Sequence, residues 1–223
     1  MACPVLLLGA TGMTGRLAAR LFLDGPRCAR LLAPTRRPLD FDHVKLEPLP
    51  FSPDSPSFPA SPGAAFVCCL GSTIKKAGSQ ANFRQIDHDL PLAYARAALA
   101  AGATRCVLVS SVGAEPRSPN FYLRVKSDLE TGLAQLGFAS LDIFRPSLLL
   151  GPRDERRLAE RIASPFARAI APLLLGPLSI YRPIHAATLA RAVVHAALSD
   201  PLQPGTRIHH WREITRGTTA DVY

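Results

Sequence analysis

Apolar residues along this chain come in two rhythms. Short apolar runs, Val5-Leu6-Leu7-Leu8, Ala29 to Ala33, Ala65 to Leu70, Arg105 to Val109 and Leu141 to Phe144, alternate with longer stretches in which apolar positions recur every three or four residues. A run without polar alternation suits a strand covered on both faces, as in a parallel sheet between helices. The longer stretches predict helices from Thr14 to Gly25-Pro26, from Phe83 to Ala101, from Asn120 to Leu136 and from Ala187 to Leu198. Val44 to Glu47 reads as a short strand and Thr206 to His209 as a last edge strand. The Pro- and Ser-rich stretch from Pro50 to Gly63 reads as loop, and so does the basic, mobile segment around Lys75, Lys76 and Gly78. The tail from Glu213 to Tyr223 is expected to fray.

Strands alternating with helices predict an α/β fold, a doubly wound parallel sheet (Rossmann fold) with the first strand central. At 223 residues, the chain fits a single domain over 1–223, with a small C-terminal substrate lobe formed mainly by 150–185, where Arg153 to Ala171 is helical in pattern.

The first strand runs straight into Gly9, Gly12 and Gly15, spaced G-x-x-G-x-x-G. Glycines at this spacing permit a tight turn, close approach of backbone to a pyrophosphate, and close packing of helix on strand. The following helix would then turn its N-terminal amides toward the phosphates. Candidate cofactor contacts here are Gly9, Thr11, Gly12, Met13, Thr14 and Gly15. At the end of the second strand, where an NAD enzyme carries an acid for the adenosine ribose, stand Thr35, Arg36 and Arg37. A guanidinium suits a 2′-phosphate by charge and by its forked donors. NADP(H) is therefore the expected cofactor and NAD(H) the alternative. Asp40 lies too far along to be favoured as a ribose ligand.

Open α/β sheets bind ligands outside the carboxyl ends of their strands. Leu70, Gly71 and Ser72 stand at one such end, and Ser110-Ser111 at another. Tyr122 and Lys126, spaced by four, share a helix face, where an ammonium favours the phenolate and makes the phenol a better acid and base near neutral pH.

Composition narrows the partners. The formal net charge of +9 is carried mostly by dispersed arginines without interleaved aromatics, so it reads as solvated surface and anionic ligand contacts rather than a nucleic-acid interface. The five cysteines lie in or beside apolar runs with neither disulfide nor zinc spacing, and His209-His210 has no spaced acidic or cysteine partner, so no metal site is expected. His185 reads as a structural loop histidine. No stretch is apolar for long enough to span a bilayer, and the first residues lack a secretory pattern, so a cytoplasmic protein is expected, as a monomer or small homo-oligomer.

Taken together, Gly9 to Gly15, Cys69-Leu70-Gly71-Ser72-Thr73, Val109-Ser110-Ser111-Val112-Gly113, Tyr122 to Lys126 and Phe144-Arg145-Pro146-Ser147 resemble an atypical short-chain dehydrogenase/reductase over nearly the whole chain, close to the Tat-interacting-protein oxidoreductase group. The resemblance implies Ser111 as the residue orienting a substrate carbonyl, Tyr122 as the acid/base, Lys126 as its partner and a holder of the nicotinamide ribose, and Pro146 as a neighbour of the nicotinamide. The chain departs from that pattern in a short loop between Ser111 and Tyr122 and in Ile86-Asp87, where extended members often carry Val-Asn. The function these features imply is an NADP(H)-dependent oxidoreductase acting on a small carbonyl or alcohol. Epimerase or dehydratase chemistry runs on the same apparatus. The alternative is a catalytically weak NADP(H)-binding redox sensor or protein-interaction module.

Overall fold

The computed structural model describes residues 2–151 and 176–216. Strands β1 (Cys3–Leu8), β2 (Cys28–Thr35), β3 (Leu46–Pro50), β4 (Ala65–Cys68), β5 (Arg105–Val109), β6 (Ser140–Phe144) and β9 (Gly205–His209) form one sheet in the order β3-β2-β1-β4-β5-β6-β9. Every pairing in it is parallel. Helices α1 (Met13–Asp24), α4 (Leu90–Ala100), α5 (Phe121–Ala134), α6 (Ala186–Leu198) and α7 (Trp211–Arg216) cover it.

The continuous apolar runs resolve into two faces. Val5, Leu7, Leu31, Ala33, Val67 and Val107 pack with α1, α6 and α7, whereas Leu6, Leu8, Leu32, Phe66, Leu108 and Ile143 pack with α4 and α5. Each strand thus buries both parities of its side chains, which is why no polar alternation appears in the sequence. The order reverses direction at β1, leaving a crevice at the carboxyl ends of β1 and β4.

Several local expectations are corrected. The third strand begins at Leu46 and runs through Pro48 and Pro50. It is an edge strand, and prolines at alternate positions turn their missing donors outward, where no ladder bond is lost. The segment around Lys75 and Lys76 is a short helix, α2 (Ile74–Ala77), capped by the Thr73 side chain and closed by Gly78 at φ +83°. The helix expected from Phe83 is built in three pieces: α3 (Gln80–Arg84), one π-helical turn (Gln85–Asp89), and α4, which carries Pro91 in its first turn. Of the tail expected to fray from Glu213 to Tyr223, Glu213 to Arg216 is helical within α7, with Ile214 buried against the core, and 217–223 lie outside the described residues.

Most of the expected lobe, including Arg153 to Ala171, lies outside the described residues. Beside it, β7 (Leu149–Leu150) pairs with β8 (Ile184–His185) in a separate two-stranded sheet, and Gly176–Tyr181 is 3-10 helix. His185 is exposed on β8.

Candidate functional site

The site begins at the glycine turn. Gly9 has φ +93°, and a Cβ there would stand 2.6 Å from the Leu70 backbone nitrogen and 2.7 Å from the Cys69 carbonyl carbon. Gly15 packs so closely that a side chain would collide with the Gly9 carbonyl, whereas at Gly12 the same oxygen is 3.3 Å away. The Gly12 amide donates to the Gly9 carbonyl at 3.0 Å, closing the turn. Gly12 is also the N-cap of α1; it brings no side-chain oxygen to the first-turn amides, and that turn carries no acidic residue. The positive end of a helix of three turns is therefore left uncompensated at an exposed lip formed by Thr11, Gly12 and Met13, with Thr14 buried behind it.

A cavity of about 570 Å³ is lined by Arg36, Phe51, Leu70, Ile86, Leu90 and Ala93, among others, and Leu70, whose backbone nitrogen meets Gly9, links it to the turn. The Arg36 guanidinium lies over the Phe51 ring, 5.6 Å from its centroid. Arg37 is exposed and lines, with Arg36 and Thr35, a second, more open hollow of about 530 Å³ against β3. Asp40, set aside as a ribose ligand, is an ion-pair partner of Arg16 and lies 3.9 Å from Arg20, so it fastens the loop after β2 to α1.

On the far side of Leu70 the structure brings Gly71, Ser72, Asp87, Tyr122 and Lys126 together. Asp87 is fully buried by the π-helical turn, and its carboxylate accepts the Ser72 amide at 2.9 Å. The Lys126 ammonium lies 2.8 Å from Asp87 Oδ1 and 5.9 Å from the centroid of the Tyr122 ring. Burial by itself would push the Lys126 ammonium down, but the Asp87 carboxylate, with a smaller contribution from Tyr122, holds it above the usual lysine value. A Cβ on Gly71 would stand 3.6 Å from both the Lys126 nitrogen and Asp87 Oδ1, so the backbone after β4 passes directly over this pair. Tyr122 lies in the first turn of α5, its amide capped by Asn120 Oδ1 at 2.9 Å and its ring 5.4 Å from that of Phe83.

Ser111 stands at the end of β5, and its hydroxyl has a long contact, 3.4 Å, with the Val112 carbonyl. The short loop that follows closes on α5 because Gly113, at φ +79°, fits against Leu123, where a Cβ would meet the Leu123 side chain at 3.3 Å. Pro146 is buried beneath the same turn, its carbonyl accepting the Val112 amide at 2.9 Å.

Two residues here escaped the sequence reading. Asp87 was visible only as a departure from Val-Asn; its signal is an acid one helical turn after buried Phe83. Glu130 follows Tyr122 and Lys126 at the same spacing of four and is equally buried. Its carboxylate accepts from the Ser110 hydroxyl and from both Arg145 Nε, at 3.1 Å, and Arg145 Nη2. His209 meets an acid across the sheet, Asp142 on the neighbouring strand, 2.7 Å from its Nε2. No cluster of three metal-ligating side chains occurs among the described residues.

The residues present fit a nicotinamide dinucleotide: Gly9 and Gly15 leave no room for a side chain, the first helix turn is uncapped, and Leu70, whose backbone meets Gly9, also lines a cavity with Arg36. Fold and crevice define the class as a doubly wound Rossmann protein. No protein-family model matches the chain. The FMP52 mitochondrial protein of Candida albicans is 36% identical over 156 residues, 67% of this chain and 68% of that one. The HTATIP2 protein of Rattus norvegicus is 35% identical over 168 residues, 73% and 69% of the two chains. The chain belongs to the family of the FMP52 and HTATIP2 proteins. Among solved structures, the Bordetella bronchiseptica enzyme WbmH in complex with NAD+ shares the fold, with a TM-score of 0.64 at 18% identity, covering 95% of this chain and 76% of that one. The cytoplasmic expectation is overturned, because the FMP52 relatives are named mitochondrial proteins. A search for a secretory pattern says nothing about mitochondrial targeting, which depends on different composition. No described helix is long and apolar enough to cross a membrane.

Proposed function

We propose that the protein is an NADP(H)-dependent oxidoreductase acting on a small carbonyl or alcohol. The observation that carries this reading is a buried ammonium, Lys126, held beside the Tyr122 phenol at the carboxyl edge of the sheet, directly under the Gly71 backbone. A nicotinamide held in the crevice supplies the hydride in the reducing direction. Tyr122 then gives its proton to the substrate oxygen, Ser111 donates a hydrogen bond to that same oxygen, and Lys126 stabilises the phenolate left behind. Pro146 and Gly71 would border the nicotinamide end, and Lys126 would offer further donors to its ribose.

The preference for the phosphorylated dinucleotide rests on Arg36, which lines the 570 Å³ cavity, and on the lack of an acid at the end of β2. One charge-assisted hydrogen bond contributes about 1.5–3 kcal/mol, roughly tenfold to hundredfold in affinity. Titration of NADPH and NADH at fixed salt is expected to favour NADPH by that factor in the wild type and to lose the preference in Arg36→Ala. Equal affinities in the wild type refute the cofactor assignment. A screen of aldehydes and ketones against NADPH oxidation, with Tyr122→Phe as control, tests the chemistry: turnover abolished in the variant supports the enzyme. Tight dinucleotide binding with no turnover on any carbonyl favours the sensor reading.

A further inference from the structure

The proline- and serine-rich stretch that leads from the end of β3 toward β4 holds one four-residue pattern, Pro-x-Ser-Pro, three times: Pro50-Phe51-Ser52-Pro53, Pro53-Asp54-Ser55-Pro56 and Pro59-Ala60-Ser61-Pro62. A serine before proline is held extended, and the proline brings no amide to be satisfied, which is the form in which proline-directed protein kinases take a substrate. The sequence offers three equivalent acceptors, and the structure separates them. Ser61 is fully buried, its hydroxyl donating to the Pro59 carbonyl at 2.9 Å and accepting from Arg30 Nη2 at 3.1 Å. Ser52 is half-buried and fastened at both backbone polar atoms, its amide donating to Tyr94 Oη at 3.0 Å and its carbonyl accepting from that hydroxyl at 3.2 Å. Ser55 is exposed, and among the described residues no hydrogen bond or ion pair involves it.

The surroundings of Ser55 set what a phosphate there does. The stretch is anchored on either side, at Ser52 by Tyr94 and at Phe58 by ring contacts with Phe66 and Tyr94, and the chain bends through 53–55. Pro53 lines the 570 Å³ cavity together with Arg36. Two residues of chain span at most about 7 Å, so Ser55 stands within that reach of the cavity rim. Arg36 is exposed, its guanidinium lies against the Phe51 ring, and no carboxylate among the described residues pairs with it or with Arg37. A phosphoserine carries about 1.5–2 negative charges at neutral pH and three acceptor oxygens, and a guanidinium meets such a group with two parallel hydrogen bonds. Those are the donors that the 2′-phosphate of NADP(H) would use.

We propose that Ser55 is the phosphoryl-acceptor site of a proline-directed serine/threonine kinase, and that the phosphoserine engages Arg36 in place of the 2′-phosphate and so lowers the affinity for NADPH. In the transfer the Ser55 hydroxyl oxygen attacks the γ-phosphorus of ATP, the new O–P bond forms as the bond to the bridging oxygen breaks, ADP leaves with that electron pair, and the hydroxyl proton passes to the base of the kinase. The site itself is independent of the oxidoreductase reading; its effect on the cofactor rests on that reading's assignment of NADP(H). NADH, which has no 2′-phosphate, does not compete for Arg36 in this way and is affected less.

In the test the full chain is treated with ATP and a proline-directed kinase that accepts Pro-x-Ser-Pro peptides, the phosphate is located by peptide mass spectrometry, and NADPH and NADH are titrated by fluorescence against treated and untreated protein. The expected result is one phosphate at Ser55, lost in Ser55→Ala, with NADPH affinity lowered about tenfold or more, the size of one charge-assisted contact, and NADH affinity within about threefold of the untreated protein. In Arg36→Ala the phosphate is expected to change NADPH affinity by less than about threefold. Labelling at Ser52 or Ser61 instead, or none under conditions that fully phosphorylate a free Pro-x-Ser-Pro peptide, overturns the site. A phosphate on Ser55 that leaves NADPH affinity unchanged, or that acts equally in Arg36→Ala, overturns the competition. Equal affinities of the untreated wild type for the two dinucleotides refute the cofactor assignment, and the phosphate map still decides the site.

Discussion

Single residues at the glycine turn differ in how much they can tolerate, and the differences are measurable. Gly9 combines a left-handed backbone with backbone atoms of the next strand end at 2.6–2.9 Å from any Cβ, and none of these atoms belongs to a side chain that could swing away. Gly12 shares neither constraint to that degree, its nearest neighbour being 3.3 Å off at ordinary φ. Gly9→Ala is expected to cost about 1–3 kcal/mol of stability and to weaken dinucleotide binding at least roughly tenfold. Gly12→Ala is expected to fold almost normally. Thermal melts with dinucleotide fluorescence titrations check the order; equal effects at the two positions would contradict this account. Gly9, Gly12 and Gly15 were readable as a turn because spacing alone signals one, but which glycine bears the close contact depends on Cys69 and Leu70, sixty residues away in sequence.

At the scale of elements, α5 is the piece on which the site is built. Its inward face carries Tyr122, Lys126 and Glu130, each one turn beyond the last, and each is fixed to a different element: Tyr122 to Phe83 of α3, Lys126 to Asp87 of the π-helical turn, Glu130 to Ser110 and Arg145. Glu130 therefore joins the strand end that carries Ser111 to the helix that carries Tyr122. Glu130→Ala leaves the largely buried Arg145 without its carboxylate and is expected to cost about 3 kcal/mol, read as a lower denaturant midpoint at unchanged slope. Tyr122 and Lys126 were legible from their spacing. Asp87 and Glu130 were not, since an acid within a helical pattern ordinarily faces solvent, and only the packing of β5, β6 and the π-helical turn against α5 reverses that.

Across the whole molecule, the sheet ends on β9, an edge strand whose attachment to β6 has a polar latch besides its ladder. Asp142 is buried and receives hydrogen bonds from Arg207 Nε at 2.9 Å and Arg207 Nη2 at 2.7 Å, with His209 Nε2 also at 2.7 Å. Burial pushes the Asp142 carboxyl up, but the hydrogen bonds from His209 and Arg207 outweigh it and hold the group below its usual value. A carboxyl depressed on folding stabilises the protein above its unfolded value, near pH 4, and loses that contribution as pH falls through the lower folded value. The stability difference between wild type and Asp142→Asn is therefore expected to be about 1–3 kcal/mol near neutrality and to shrink below about pH 4, as urea melts across that range would show. A difference independent of pH would mean that the Asp142 charge is not what fastens β9.

The sequence by itself determined the alternation of strands and helices, the glycine turn and the spacing of Tyr122 and Lys126, because these follow from local periodicity and from φ preferences that act over a few residues. It determined the doubly wound sheet as well, since apolar runs such as Val5 to Leu8 leave no face of a strand for water. Tertiary structure alone decided that Pro48 and Pro50 could sit in a strand, that Asp87 would turn inward to meet Lys126, and that Asp142 would find His209 across the sheet. Each of those outcomes depends on a neighbour distant in sequence, and the sign of a charge's effect, or the cost of a missing donor, is set by which neighbour that is.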